Sequence, residues 1–78
     1  MDQDIERTVK QILADKLEIR IEEIGLSASL ANDLGVDSLG AIEIAFELEE
    51  KFGLSISDDE SRQMNTVQDI IDYIKSKL

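Results

Sequence analysis

Cysteine and histidine are both absent from this chain, and together the two absences remove most routes to side-chain catalysis. Without cysteine there is no disulfide framework, no thiol nucleophile and no thiolate metal site. Without histidine there is no imidazole for acid–base work, for a Ser–His pair or for metal ligation. Any reactive thiol that the protein uses must be added after translation. Two phenylalanines, one tyrosine and no tryptophan leave the interior largely aliphatic. No apolar run approaches the roughly 20 residues of a membrane-crossing helix, so no membrane insertion is expected. The opening Met1-Asp2-Gln3-Asp4 lacks the basic region of a secretory signal, which predicts a cytoplasmic location.

Bases are scarce as well. Eight Lys and Arg stand against eighteen Asp and Glu, for a formal net charge of −10. That argues against a nucleic-acid partner, because neutralising phosphates takes clustered cations. It favours solubility and attraction to basic proteins. The acidity is concentrated: between Asp33 and Glu60 nine acids face one base, Lys51, so this stretch holds −8 of the total. At 78 residues the chain supports one domain, 1–78, which must draw its stability from well-packed helices.

Apolar spacing organises the chain. Ile5, Val9, Ile12, Leu13 and Leu17 recur at helical intervals and predict a first helix from about Asp2 to Leu17, with Glu6, Arg7, Lys10 and Gln11 on its wet side. From about Glu18 to Val36 the aliphatics Ile19, Ile21, Ile24, Leu26, Leu30 and Leu34 recur without a sustained face. This is the pattern of a long loop laid over the core, with Gly25 and Gly35 supplying turns. A second helix is expected from Asp37-Ser38 to Phe52, stopped by Gly53. Ser57-Asp58-Asp59-Glu60 has the form of a capping box opening a short third helix, and Thr66-Val67-Gln68-Asp69 that of a related cap. The final helix then sets Val67, Ile70, Ile71, Ile74 and Leu78 on one face. The fold class is all-α: a small four-helix bundle, three main helices plus one short helix, with a long first loop.

Gly35-Val36-Asp37-Ser38-Leu39 runs straight into the second helix. Asp37 is a good N-cap, which puts Ser38 in the first turn beside unpaired amides. A phosphate ester on Ser38 would lie at the positive end of the helix, where anions are favoured. The Asp37 carboxylate is placed to help hold magnesium while such a phosphate is delivered. On these residues alone an ordinary helix start is the better reading, since Asp-Ser before a helix is common. Projected at about 100° per residue, Ala41, Ile44, Ala45, Leu48 and Phe52 cluster on the core side, and Glu43, Glu47 and Glu50 form a stripe opposite. Leu39 and Phe46 fall beside that stripe. The pattern fits either a docking surface, where charge steers a basic partner and the apolar pair adds contact energy, or a solvated acidic face. Repulsion between Glu43 and Glu47 at i, i+4 speaks against a role in helix stability.

Leu34-Gly35-Val36-Asp37-Ser38-Leu39, then Ile42-Glu43, then Leu48-Glu49-Glu50-Lys51-Phe52, resembles the phosphopantetheine attachment region of the acyl carrier proteins. The resemblance extends over nearly the whole chain, from the first helix through Ala28-Ser29-Leu30 to the closing run from Thr66 to Ile74. It implies a discrete, monomeric, non-catalytic carrier. A phosphopantetheinyl transferase (holo-acyl-carrier-protein synthase) moves 4'-phosphopantetheine from coenzyme A to Ser38 with magnesium, and the arm then carries acyl groups as thioesters in fatty acid or related lipid biosynthesis. Partner recognition, by synthase and transferase enzymes with basic docking patches, carries over to Asp37, Leu39, Glu43, Phe46, Glu47, Glu49 and Glu50.

Two positions depart from the family pattern. Gly40 stands where typical fatty-acid carriers have aspartate, which leaves open a specialised carrier for an amino acid such as D-alanine or for a polyketide-type acyl group. Ser57 stands where many relatives have proline, and a looser loop is expected there. Ala41 and Ala45 either leave room for an acyl chain between the helices or let the helices approach closely. An alternative of another class is a small acidic protein-interaction module in which Ser38 plays no part.

Overall fold

In a computed structural model the structure describes residues 2–78, with side chains from residue 4 onward. Met1, the first residue of the acidic N-terminal tetrapeptide, lies outside the described residues. Helix α1 spans Asp2–Leu17, α2 Ser38–Phe52, α3 Asp58–Arg62 and α4 Val67–Lys77, and a single 3-10 turn at Ile21–Glu23 interrupts the first loop. The three main helices and the short one are those the sequence predicts; the 3-10 turn is not. It forms because Glu23 reaches back to accept from the Arg20 amide at 3.0 Å, closing a tight turn within the loop.

The core is aliphatic throughout. Val9 and Leu13 of α1, Leu48 of α2, and Val67, Ile70 and Ile74 of α4 are sealed from solvent, and no buried side-chain nitrogen or oxygen lacks a partner among the described residues. Helix α1 packs against both α2 and α4, and α2 against α3. Leu78 departs from its expected place. It lies past the last turn of α4, 68 % exposed, because the helix ends at Lys77 before the residue can turn inward.

The starts of α2, α3 and α4 are capped by the side chain of the residue before each helix. Asp37, Ser57 and Thr66 cap α2, α3 and α4, accepting from the amides of Gly40, Glu60 and Asp69. Gly53 ends α2 in the left-handed conformation at φ 67°, and its amide bonds back to Glu49. The end of α1 is less comfortable. Glu18 takes φ 58°, a left-handed conformation that a side chain disfavours, while the Ile19 amide bonds back to the Ala14 carbonyl at 3.1 Å. Glu18→Gly is therefore expected to raise stability by about 0.5–1 kcal/mol, read as a higher denaturant midpoint with an unchanged slope.

The capping box that the sequence predicts at the start of α3 is present. Ser57 and Glu60 form a complete capping box: the serine hydroxyl accepts from the Glu60 amide at 3.1 Å, and the Glu60 carboxylate accepts from the Ser57 amide at 3.0 Å. A proline there has no N–H to give that second bond.

The long first loop is bonded into the fold. The amides of Val67 and Gln68, which open α4 and have no partner within it, donate to the carbonyls of Ala28 and Leu26, and the Leu30 amide donates to Asn65. Ser29 and Thr66 meet there in an isolated antiparallel bridge. Ile24 and Leu30 anchor the loop in the core. Gly35 turns it at φ 70° into the last residues before α2, and Gly25 contributes the carbonyl that closes a turn with Ala28.

Glu60 has a further role at the α3–α4 contact. Its carboxylate is held down from an ordinary 4.5 to about 2, first by the Ser57 amide, then by the hydroxyls of Tyr73 and Ser57, with Lys77 adding attraction from 3.5 Å. The Tyr73 hydroxyl has one proton for two acceptors, Glu60 and the Ser55 carbonyl at 3.3 Å. Its own pKa is raised by burial and by the carboxylates of Glu60 and Glu49. A folded pKa below the unfolded one means stability that is present above pH 4.5 and lost as pH falls toward about 2. The stability gap between the native protein and Glu60→Gln is expected to be widest above pH 4.5 and to close below it, in urea melts run across that range.

Candidate functional site

Ser38 is the first residue of α2 and is exposed to solvent. Its position follows from the residues on either side. Gly35 lets the chain turn, the Val36 amide is fixed to the Leu30 carbonyl at 2.7 Å, and Asp37 holds extended backbone at φ −91° before the helix begins. The Asp37 Oδ1 accepts from the Gly40 amide at 2.7 Å. The amides of Ser38 and Leu39, and the Ser38 hydroxyl itself, make no hydrogen bond among the described residues. A free hydroxyl thus stands at the positive end of a 15-residue helix.

Gly40 has a local explanation. A Cβ at this position would lie 3.1 Å from Asp37 Oδ1 and 3.3 Å from Val36 Cγ1, tighter than ordinary contact on both sides. The glycine lets the cap carboxylate and Val36 lie this close over the first turn.

Beside Ser38 a groove of about 520 Å³ opens between the loop, α2 and α3. Leu30, Val36, Ala41, Ile42 and Met64 supply apolar wall, and Asn32, Ser61, Arg62 and Asn65 supply polar groups. This volume falls within the ~300–1,000 Å³ range of small-molecule sites. The groove nearly closes inward: beneath Ala41 and Ala45 only about 10 Å³ remains among Leu30, Ile44, Leu48 and Ile70. That is room for about one water molecule. In this state the two alanines bring the helices close together.

On the outer face of α2, Leu39 and Phe46 are 64 % and 61 % exposed, as their place beside the glutamate stripe predicts. Ile42, 38 % exposed, joins them at i, i+3, i+7 to make a continuous apolar ridge that the helix projection did not single out. Glu43, Glu47 and Glu50 line its flank, all exposed. Asp37 lies at the head of the ridge. Glu49 is set apart from these residues. It is partly buried, and its Oε2 accepts from the Ile56 amide at 2.6 Å, tying α2 to the segment before α3. Nothing in the sequence marks that bond, since it spans seven residues across a turn.

Comparison with known proteins decides between a carrier and a bare acidic module. The family model described as "Phosphopantetheine attachment site" matches residues 7–74. An acyl carrier protein of Buchnera aphidicola subsp. Acyrthosiphon pisum (strain 5A) is 47 % identical over 73 residues, covering 94 % of this chain and 91 % of the relative. One from Porphyromonas gingivalis (strain ATCC 33277) is 40 % identical over 75 residues, covering 96 % of each. The chain belongs to the acyl carrier protein family.

Acyl carrier proteins are non-catalytic, and 4'-phosphopantetheine is their prosthetic group. The residues at the head of α2 fit that group in three respects. A free serine hydroxyl is available to esterify, helix amides lie beside the position its phosphate would take, and the adjoining groove is apolar along one side and polar along the other. No helix among the described residues is long and apolar enough to cross a membrane.

Proposed function

We propose that this acyl carrier protein bears its 4'-phosphopantetheine on Ser38 and serves fatty acid or related lipid biosynthesis in the cytoplasm, as one carrier unit spanning the chain. The observation that carries the reading is the position of Ser38: a free, exposed hydroxyl at the start of α2, between a groove and an acidic docking ridge. The arm supplies the thiol on which acyl groups travel as thioesters, a function that a chain without cysteine cannot furnish itself. A phosphopantetheinyl transferase installs it from coenzyme A. Asp37 holds the helix start in place and offers a carboxylate to the magnesium of that transfer.

The chain's own residues then manage encounters. Glu43, Glu47 and Glu50 draw basic patches of synthase and transferase enzymes, and Leu39, Ile42 and Phe46 give the docked partner apolar contact. Asp37 contributes charge beside the attachment point. Glu49 adds its charge to the field while its carboxylate serves the fold.

The test is intact-mass measurement after incubation with coenzyme A, magnesium and a promiscuous phosphopantetheinyl transferase. The expected result is the gain of one arm, mapped by peptide digestion to Ser38. Folded, initially unmodified protein that gains nothing would overturn the reading.

A further inference from the structure

One ion pair crosses from α1 onto the acidic ridge. Lys16, in the last turn of α1, places its Nζ 3.0 Å from Oε1 of Glu43. The pair is only partly screened by solvent: the Lys16 side chain is 30 % exposed and that of Glu43 is 47 % exposed. Glu47 and Glu50 make no ion pair among the described residues. The acids of the ridge are therefore unequal. Glu43 sits one turn from Leu39 and next to Ile42, nearest the attachment serine of the three, and it is the one already engaged by a cation of the same chain.

We propose that Lys16 is a specificity-determining residue of the docking face. By occupying Glu43 it withholds that carboxylate from basic partners and leaves Glu47 and Glu50 as the charges that receive them first. The inference rests on the reading of the α2 face as a docking surface. A partner whose cation approaches Glu43 must displace the Lys16 ammonium or lie against it, cation to cation. A partner that reads only Glu47 and Glu50 meets neither cost. For a partly exposed pair the penalty corresponds to about two- to five-fold in affinity. It shrinks as salt screens the pair. Lys16 thereby sorts partners by where along the helix their basic residues fall.

The test uses the full chain and a promiscuous phosphopantetheinyl transferase as the basic partner, with KM for the carrier as the readout at low and high salt. Lys16→Met keeps the aliphatic stem and removes the charge, and Lys16→Arg restores a cation. Melting temperatures establish that the variants are folded, since Lys16 also complements the α1 dipole. At low salt the KM of Lys16→Met is expected to fall about two- to five-fold, that of Lys16→Arg to stay near the native value, and the gain to vanish at high salt. In a Glu43→Gln background Lys16→Met is expected to change nothing, since the charge it masks is gone. An unchanged KM for Lys16→Met, or an equal fall in the Glu43→Gln background, overturns the inference, the latter because it reports bulk charge alone. If Glu47→Gln raises KM while Lys16→Met does nothing, the docking surface stands and only the masking falls. If Glu43→Gln and Glu47→Gln both leave KM unchanged, the docking reading falls and the masking falls with it.

Discussion

Ser38→Ala is expected to fold like the native protein and to take up no phosphopantetheine at all. The two halves of that result have separate causes. The helix start does not depend on Ser38: Asp37 is the cap, and its bond to the Gly40 amide survives the substitution. Ser38 is exposed and its hydroxyl is free, so the change should fall within the roughly ±0.5 kcal/mol of an ordinary surface site. No other serine takes its place. The hydroxyls of Ser29 and Ser57 accept from backbone amides, those of Ser61 and Ser76 donate to carbonyls, and Ser27 and Ser55 lie in loops outside the helices. None of them opens α2. Intact mass and a thermal melt on the same sample check both halves. Asp37→Ala provides the contrast, with a loss of about 0.5–2 kcal/mol from the missing cap. A Ser38→Ala protein that still gained an arm would move the attachment point elsewhere.

The largest loss of stability is expected on the same helix, ten residues further on. Leu48 is 1 % exposed, in the middle of the face that α2 turns to the core. Leu48→Ala removes that contact and opens a cavity, at a cost of about 2–5 kcal/mol. A domain of this size holds only about 4–12 kcal/mol in total, so the variant should be strongly destabilised, with its urea midpoint falling steeply. Phe46→Ala, two residues away, should leave stability nearly unchanged, because the ring is 61 % exposed. If the ridge docks partners as proposed, its effect is expected in partner affinity. If Phe46→Ala unfolded the protein as Leu48→Ala does, the ring would be core and the apolar ridge would not be a surface.

Much of this was legible in the residues themselves. Helix α2 could be read from end to end because each local signal agreed: Asp37 to begin, Gly53 to stop, and apolar residues at helical spacing between them. The exposed places of Leu39 and Phe46 followed from the same spacing. Less was visible where structure comes from residues distant in sequence. The Lys16–Glu43 pair joins two helices across 27 positions, and no periodicity announces it. The bond from Ile56 to Glu49 depends on how the chain folds back after Gly53. The capping box from Ser57 to Glu60 was legible because both partners lie within one turn, whereas the crowding of Gly40 by Asp37 and Val36 depends on how the preceding segment folds over the helix start. Composition and local pattern carry helices well and carry their mutual contacts poorly.

The seam between the first loop and α4 bears on how the backbone at Ser38 is held. The carbonyls of Leu26 and Ala28 are the partners that the first turn of α4 lacks within itself, and the same loop runs on through Leu30 and Val36 to Ser38. The bonds that satisfy the start of α4 therefore also hold the loop that leads to Ser38. With the arm on Ser38, as proposed, the protein end of the tether is joined to backbone bonded to α4, and reach toward a partner is expected to come from the arm itself.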